Sequence, residues 1–376
     1  MPPARADIAV IGGGPAGAAA ALTLRRHAPR LAVRLIEASD YSMPRPGEVL
    51  PAVARSLLEQ LGVMTSFEAQ GFVAGRALAS AWANDELDER HSIFSAQGPG
   101  WHLDRARFDR MLTDAAMAAG VALSTGSAVR SAMPEREGWC LTLADRSEVV
   151  VRAVIWAAGR SWRLARPFSA RVRVHGDLVA HSRFIEGVAG DNRTVIEARP
   201  EGWWYSADLP GDRRIVACMT DPDLGEALAL RSDQGWRRAL DATRHMRALV
   251  PVDARIGEAL VRSAGTTTVE PAIGRRWIAA GDTLFAADPL SSRGIVHALR
   301  SGIIAAYAAA DLLDDDIDKG REDEIRRRYA MISTHGFQGY AQALAGHYAE
   351  AARWPEAPFW RSRAPVDIAR RMGGTS

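Results

Sequence analysis

Ile8-Ala9-Val10-Ile11-Gly12-Gly13-Gly14-Pro15-Ala16-Gly17 decides how this chain folds. A short apolar, β-prone run meets a glycine turn, and an Ala/Leu-rich helical stretch follows to about Arg26. In such a turn Gly12 permits the sharp reversal and Gly14 lets the backbone approach a pyrophosphate. Gly17 allows close helix-to-strand packing, while Pro15 and Ala16 open a helix whose N-terminus faces the negative charge. After Pro29 breaks the chain, Ala32 to Ile36 read as a second strand ending in Glu37. That acid stands about 20 residues past Gly17, where a ribose-binding carboxylate belongs. A plain glycine-rich turn would not carry both flanking strands and the acid. The unit can hold the adenosine half of either NAD or FAD, so a downstream segment must choose.

Arg276 to Asp282 reads as a strand ending in Gly281-Asp282 and continues through Ala287-Asp288-Pro289-Leu290-Ser291-Ser292-Arg293-Gly294 into a helix from Ile295 to Leu313. This segment resembles the second FAD motif of the flavin-dependent monooxygenase/halogenase superfamily, whose fold is that of p-hydroxybenzoate hydroxylase. The resemblance implies an α/β, Rossmann-like FAD-binding domain with an inserted antiparallel-sheet substrate domain and a helical C-terminal tail. It also implies that Asp282 binds the ribityl chain, and that the helix start at Gly294 and Ile295 faces the flavin pyrimidine. Arg293 is expected to help stabilise negative charge there. Ala38 and Val129 are further expected cofactor contacts. Trp101 to Asp109 leads into an amphipathic helix and resembles the superfamily's arginine-bearing helix start, with Arg105 as the contact; read alone, it is an Asp-capped helix with solvated arginines. Val149 to Ala158 reads as the strand returning to the crevice, ending at Gly159. Related NAD(P)H-using hydroxylases carry Asp-Gly at that point. Ala158-Gly159 stands here instead, which weakens direct NAD(P)H binding.

Composition limits the alternatives. Forty-seven basic and 45 acidic residues give a formal charge of +2, far from the basic excess that nucleic-acid binding needs. All of the basic residues but Lys319 are arginine. Cys140 and Cys218 lack metal-ligand spacing, so no metal site is expected and a reducing cytoplasm fits. No secretory signal is read at the N-terminus, nor an apolar run of the roughly 18 residues that a membrane span needs.

The two anchors lie far apart, so the flavin domain is expected to be discontinuous: 1–78, 102–165 and 269–315, with 79–101 and 166–268 as substrate domain and 316–376 as a C-terminal helical region. Arg171 to His175, Arg193 to Ile196, Trp203 to Leu209 and Arg214 to Met219 alternate as antiparallel strands, with Pro210-Gly211-Asp212 turning between the last two.

Pro44-Arg45-Pro46-Gly47-Glu48, Gly202 to Pro210 and Arg353 to Trp360 together resemble one branch, the flavoprotein maturases of cysteine tryptophylquinone enzymes such as lysine ε-oxidase, glycine oxidase and quinohemoprotein amine dehydrogenase. This implies oxygenation of a peptidyl tryptophan in a quinoprotein precursor polypeptide, with FAD as cofactor and molecular oxygen as co-substrate. Electrons would come from NAD(P)H directly or through a separate flavin reductase. Flavin-dependent halogenases need a lysine between flavin and substrate, in the N-terminal half; Lys319 is far from that place. Trp204 and Tyr205 are pocket candidates, with sheet packing as the equal alternative. Arg45 and Glu48 are expected as flavin-side contacts rather than proton-transfer groups, or else paired with one another on a surface loop. A small-molecule aromatic monooxygenase, a geranylgeranyl-reductase-like enzyme and a non-catalytic flavoprotein chaperone remain as rivals.

Overall fold

The computed structural model describes residues 3–188, 190–351, 353–364, 367–368 and 371–372. The opening motif forms a strand, Ala4–Ile11, and a turn helix, Pro15–His27. Parallel neighbours flank the strand: Val33–Ile36 on one side, continued by Ala122–Ser124, and Glu148–Trp156 on the other, continued by Trp277–Ala279. These strands are apolar on both faces because helices cover one side, while on the other Ala9, Ile11, Val154 and Trp156 pack in one cluster with Phe168 and with Trp139 and Leu141 of the hairpin formed by Val129–Glu135 and Gly138–Leu143. Against the sheet the turn helix packs on the late helix Gly294–Leu312. The approach is so close that Gly302 has no room for a side chain beside the Ala16 backbone.

That late helix corrects the expectation that no apolar run is long enough to span a membrane. By length and composition it qualifies, with a mean hydropathy of 1.2. Its apolar side chains nevertheless lie in the core, among them Leu299, Ile303 and Leu312.

The substrate sheet is built around Val179–Glu186, Arg213–Thr220, Gly202–Leu209 and Arg193–Arg199 in that spatial order. Leu209 pairs with Arg213, so the hairpin loop is Pro210-Gly211-Asp212, with Gly211 and Asp212 both at positive φ. Ala77–Ala81 joins the sheet beside Arg193–Arg199, so a boundary at 78/79 falls inside a strand. Arg171–Val174 pairs with Thr267–Glu270 in a separate three-stranded sheet. Trp204 and Trp236 pack on the outer face of the substrate sheet with the helix Asp233–Asp241. On the inner face, Trp82 and Trp203 meet Tyr348, Phe359 and Trp360 from the chain's C-terminal part, where a long helix, Lys319–Glu350, returns across the molecule.

Candidate active site

Ile11, Ile36, Trp156 and Ala279 end their parallel strands at one level, since Ile11 lies opposite both Ile36 and Trp156, and Trp156 opposite Ala279. The crevice beyond these strand ends is where open α/β sheets bind nucleotides. A continuous cavity of about 660 Å³ begins there and runs to the inner face of the substrate sheet.

Most of the residues singled out from sequence stand in its wall: Gly12, Gly14, Pro15, Ala16, Glu37, Ala38, Arg45, Glu48, Arg105, Val129, Gly159, Tyr205, Asp282, Gly294 and Ile295. Gly17 lies behind them, its α-carbon packed on the Gly12 carbonyl. Two candidates fall outside. Arg293 is exposed at the start of the late helix and does not line the cavity. Trp204 is buried against Trp236 on the far face of the sheet. Adjacent strand residues point to opposite faces, so Trp204 is turned away because Tyr205 points in.

Glu37 stitches the turn together. Its buried carboxylate accepts hydrogen bonds from the Gly13 N–H (2.6 Å), the Ser39 N–H (2.9 Å) and the Ser39 hydroxyl (2.5 Å). Arg45 reaches Glu37 at 3.2 Å and Asp109 at 2.9 Å, and Arg105 holds the same Asp109 at 3.2 Å. The expected alternative of an Arg45–Glu48 surface pair is therefore replaced by a cluster in which buried Asp109 bridges two cavity-facing arginines. The i,i+4 spacing of Arg105 and Asp109 was the signal that could have found it. Glu48 is instead buried, accepting from the Gly47 N–H at 2.7 Å and from the Tyr205 hydroxyl at 3.1 Å. Burial raises the pKa of both groups.

Asp282 has Arg160 for a neighbour at 3.6 Å. Removal from water raises its pKa, against the attraction of Arg160 and Arg105. Arg160 also donates to the carbonyls of Gly265 (2.5 Å) and Ala287 (3.1 Å), tying the crevice to the substrate side. Asp288, a further wall residue to which the sequence alone gives no role, accepts from the Leu290 N–H (2.9 Å) and the Tyr348 hydroxyl (2.8 Å). Its own N–H donates to the Tyr340 hydroxyl at 2.7 Å. The long C-terminal helix thus holds the loop that precedes Gly294; no local pattern announces a bond across 60 positions.

The residues fit FAD. Gly12 sits at φ +103°, with its hydrogen directed at the Ala157 carbonyl. Gly14 and Gly294, each at the beginning of a helix, have open space where a Cβ would be. Two helix N-termini therefore face the cavity without a side chain in front of them, as a diphosphate and an anionic ring require. Residues 5–151 match the family model described as FAD binding domain. Fold and site together define an FAD-dependent oxidoreductase with the architecture shared by flavin-dependent monooxygenases and halogenases.

LodB of Marinomonas mediterranea, named a putative FAD-dependent oxidoreductase, is 28% identical over 365 residues, covering 95% of this chain and 96% of LodB. Among solved structures, the myxobacterial chondrochloren halogenase CndH superposes with a TM-score of 0.86 at 20% identity, covering 99% of this chain and 90% of CndH. The peptidyl tryptophan dihydroxylase QhpG, described as essential for tryptophylquinone cofactor biogenesis, gives 0.74 at 24% identity, covering 96% and 79%.

Proposed function

We propose that this chain is an FAD-dependent monooxygenase that hydroxylates an electron-rich aromatic ring, the ring being a tryptophan side chain of a partner polypeptide in tryptophylquinone biogenesis. One observation carries the choice between oxygenation and halogenation. The cavity runs unbroken from the flavin crevice to the substrate sheet, and its wall contains no lysine. Lys319, the only lysine of the sequence, is exposed at the beginning of the long C-terminal helix. A relay of hypohalous acid through an ammonium group has no donor here. The resemblance to QhpG supports the peptidyl reading.

Bound FAD, once reduced, supplies with molecular oxygen an electrophilic oxygen atom. The chain's own part is to hold and shield. Glu37, Arg45, Arg105 and Asp282 line the nucleotide and ribityl stretch, and the backbone N–H groups opening the helix at Gly294 offset negative charge on the ring. That role falls to the helix start, with Arg293 adding at most a long-range, screened charge from outside the wall. Ala180, Ile215, Ala217 and Met219 give the substrate end an apolar floor on which a flat bicyclic ring can lie. The wall reaches the surface at exposed Arg262 and Ser263, which gives a polypeptide substrate a way in. Ala158, in place of an acid, favours delivery of electrons by a partner flavin reductase over direct NAD(P)H binding.

Incubation with FAD, a reductant, oxygen and the tryptophan-containing precursor tests the reading. The expected product is heavier by about one oxygen atom per turnover. An unmodified precursor beside turnover of a free aromatic compound would assign a small-molecule monooxygenase instead.

A further inference from the structure

Five carboxyl groups line the cavity: Glu37, Glu48, Asp109, Asp282 and Asp288. Glu37 and Asp109 are bridged by Arg45, and Asp282 lies beside Arg160. Both oxygens of Asp288 are tied to the loop and the C-terminal helix. Glu48 differs. It is 2% exposed, has no ion-pair partner among the described residues, and makes one bond to the flavin-side backbone and one to the substrate sheet, through Tyr205. The carbonyl of Glu48 accepts from the Leu103 N–H at 2.8 Å, and Val49 pairs with His102, so its backbone is fixed. The groups around it are few: Tyr205 from the sheet, the charge of Arg105 from its helix, and His102, whose ring is turned away to Thr194. A carboxyl buried without a cation costs stability, and such groups concentrate where protons are moved.

We propose that Glu48 is the proton acceptor of the hydroxylation, taking the ring N–H proton of the indole as the ring is oxygenated, with Tyr205 as the residue that positions it. This rests on the reading above and deepens it. In the step the indole N–H bond breaks, its proton goes to a Glu48 oxygen, and its electron pair moves into the ring. The ring carbon forms a bond to one atom of O₂; reduced flavin supplies two electrons and two protons, and of these two protons and the one released from the ring carbon, one stays on the new hydroxyl and two leave with the second oxygen atom as water. Loss of the carbon-bound proton restores the ring, and Glu48 returns its proton to nitrogen. The sum is ring C–H, O₂ and reduced flavin giving ring C–OH, water and oxidised flavin.

The test uses FAD-loaded enzyme with a flavin reductase, NADH, oxygen and two probe peptides, one containing tryptophan and one 1-methyltryptophan, which has no N–H. E48Q should retain FAD content and flavin spectrum. It should hydroxylate the tryptophan peptide about 100-fold more slowly, the usual size of a lost acid–base group, and lose the acid limb of the pH–rate profile. On the methylated peptide, wild type and E48Q should agree within about twofold, because no proton is there to take. Y205F should move the acid limb to higher pH, because the tyrosine hydroxyl stabilises the carboxylate form. Equal losses on both peptides, or an unmoved limb in Y205F, would assign Glu48 a structural role and overturn the proposal. If wild type leaves the peptides untouched but oxidises free indole, the peptidyl reading fails, and indole against 1-methylindole tests Glu48 in the same way. If neither is turned over, infrared titration of the holoenzyme decides. A carboxylic-acid band titrating above the ordinary carboxylate range in wild type and missing in E48Q supports the proposal, and its absence from wild type refutes it.

Discussion

Replacing Gly14 and Gly12 in turn by alanine separates the part of the glycine turn that serves the fold from the part that serves the ligand. At Gly12 the backbone is at φ +103° and an added Cβ would lie 2.8 Å from the Ala157 carbonyl carbon, closer still to its oxygen. The conformation alone costs an L-residue about 1–3 kcal/mol, and the overlap adds to it, so G12A should lose about 3 kcal/mol or more of apoprotein stability. Gly14 is extended, at φ −74° and ψ −175°, with nothing within 4 Å of the added atom. Ala there costs the apoprotein about 1 kcal/mol at most, the scale of a helix-cap change. Its methyl would stand in the space the diphosphate needs. A 100-fold weaker FAD Kd corresponds to about 2.7 kcal/mol. At FAD concentrations 100 times the wild-type Kd, nearly all ligand-induced stabilisation would disappear. Thermal unfolding with and without FAD reads both effects. G14A should melt near the wild-type apoprotein temperature and lose most of its FAD-dependent shift, whereas G12A should melt lower in either condition. A full FAD shift in G14A, or apoprotein losses equal in the two variants, would refute the assignment of that space to the cofactor.

Trp204→Ala should cost about 3–5 kcal/mol by emptying a site against Trp236, while FAD affinity measured by fluorescence quenching stays within about twofold of wild type. Asp208→Asn leaves Arg214 buried without its charge partner, now at 2.6 Å, and urea unfolding should show a loss of about 3–5 kcal/mol. Asp282→Ala removes the cavity acid proposed to bind the ribityl chain and should weaken FAD about tenfold or more, with little change in apoprotein melting. His181 and His297 have pKa values lowered to about 4, chiefly by burial. They stay neutral in the fold while the unfolded chain takes up protons below about pH 6.5. Urea midpoints should therefore fall as pH drops from about 6.5 towards 4, and H297N should flatten that slope.

The two ends of the flavin site were legible because each is local. A strand, a glycine turn and an acid on the next strand declare themselves within forty residues of the N-terminus, and Asp282 with Gly294 needs only a strand end and a helix start. Trp204 and Tyr205 stood together as pocket candidates; strand alternation puts them on opposite faces, but which of the two faces the cavity depends on what covers the sheet, and the helix Asp233–Asp241 covers the Trp204 side. The strand Val179–Glu186 escaped notice. His181, Ser182 and Arg183 are all buried there, so polar residues lie on both faces and the period-two signal is lost. The distant partners of Arg45, Glu48 and Asp288, which are Asp109, Tyr205 and Tyr348, lie 64, 157 and 60 positions away. Such contacts exist only once the sheet, the substrate insertion and the C-terminal helix have met.

Turnover of the tryptophan-containing precursor with reduced FAD under ¹⁸O₂, in buffer holding chloride and bromide, puts the account to its most direct trial by intact mass. The lysine-free cavity predicts a product carrying oxygen from the gas and no halogen. A chlorinated or brominated product without the isotope would contradict it.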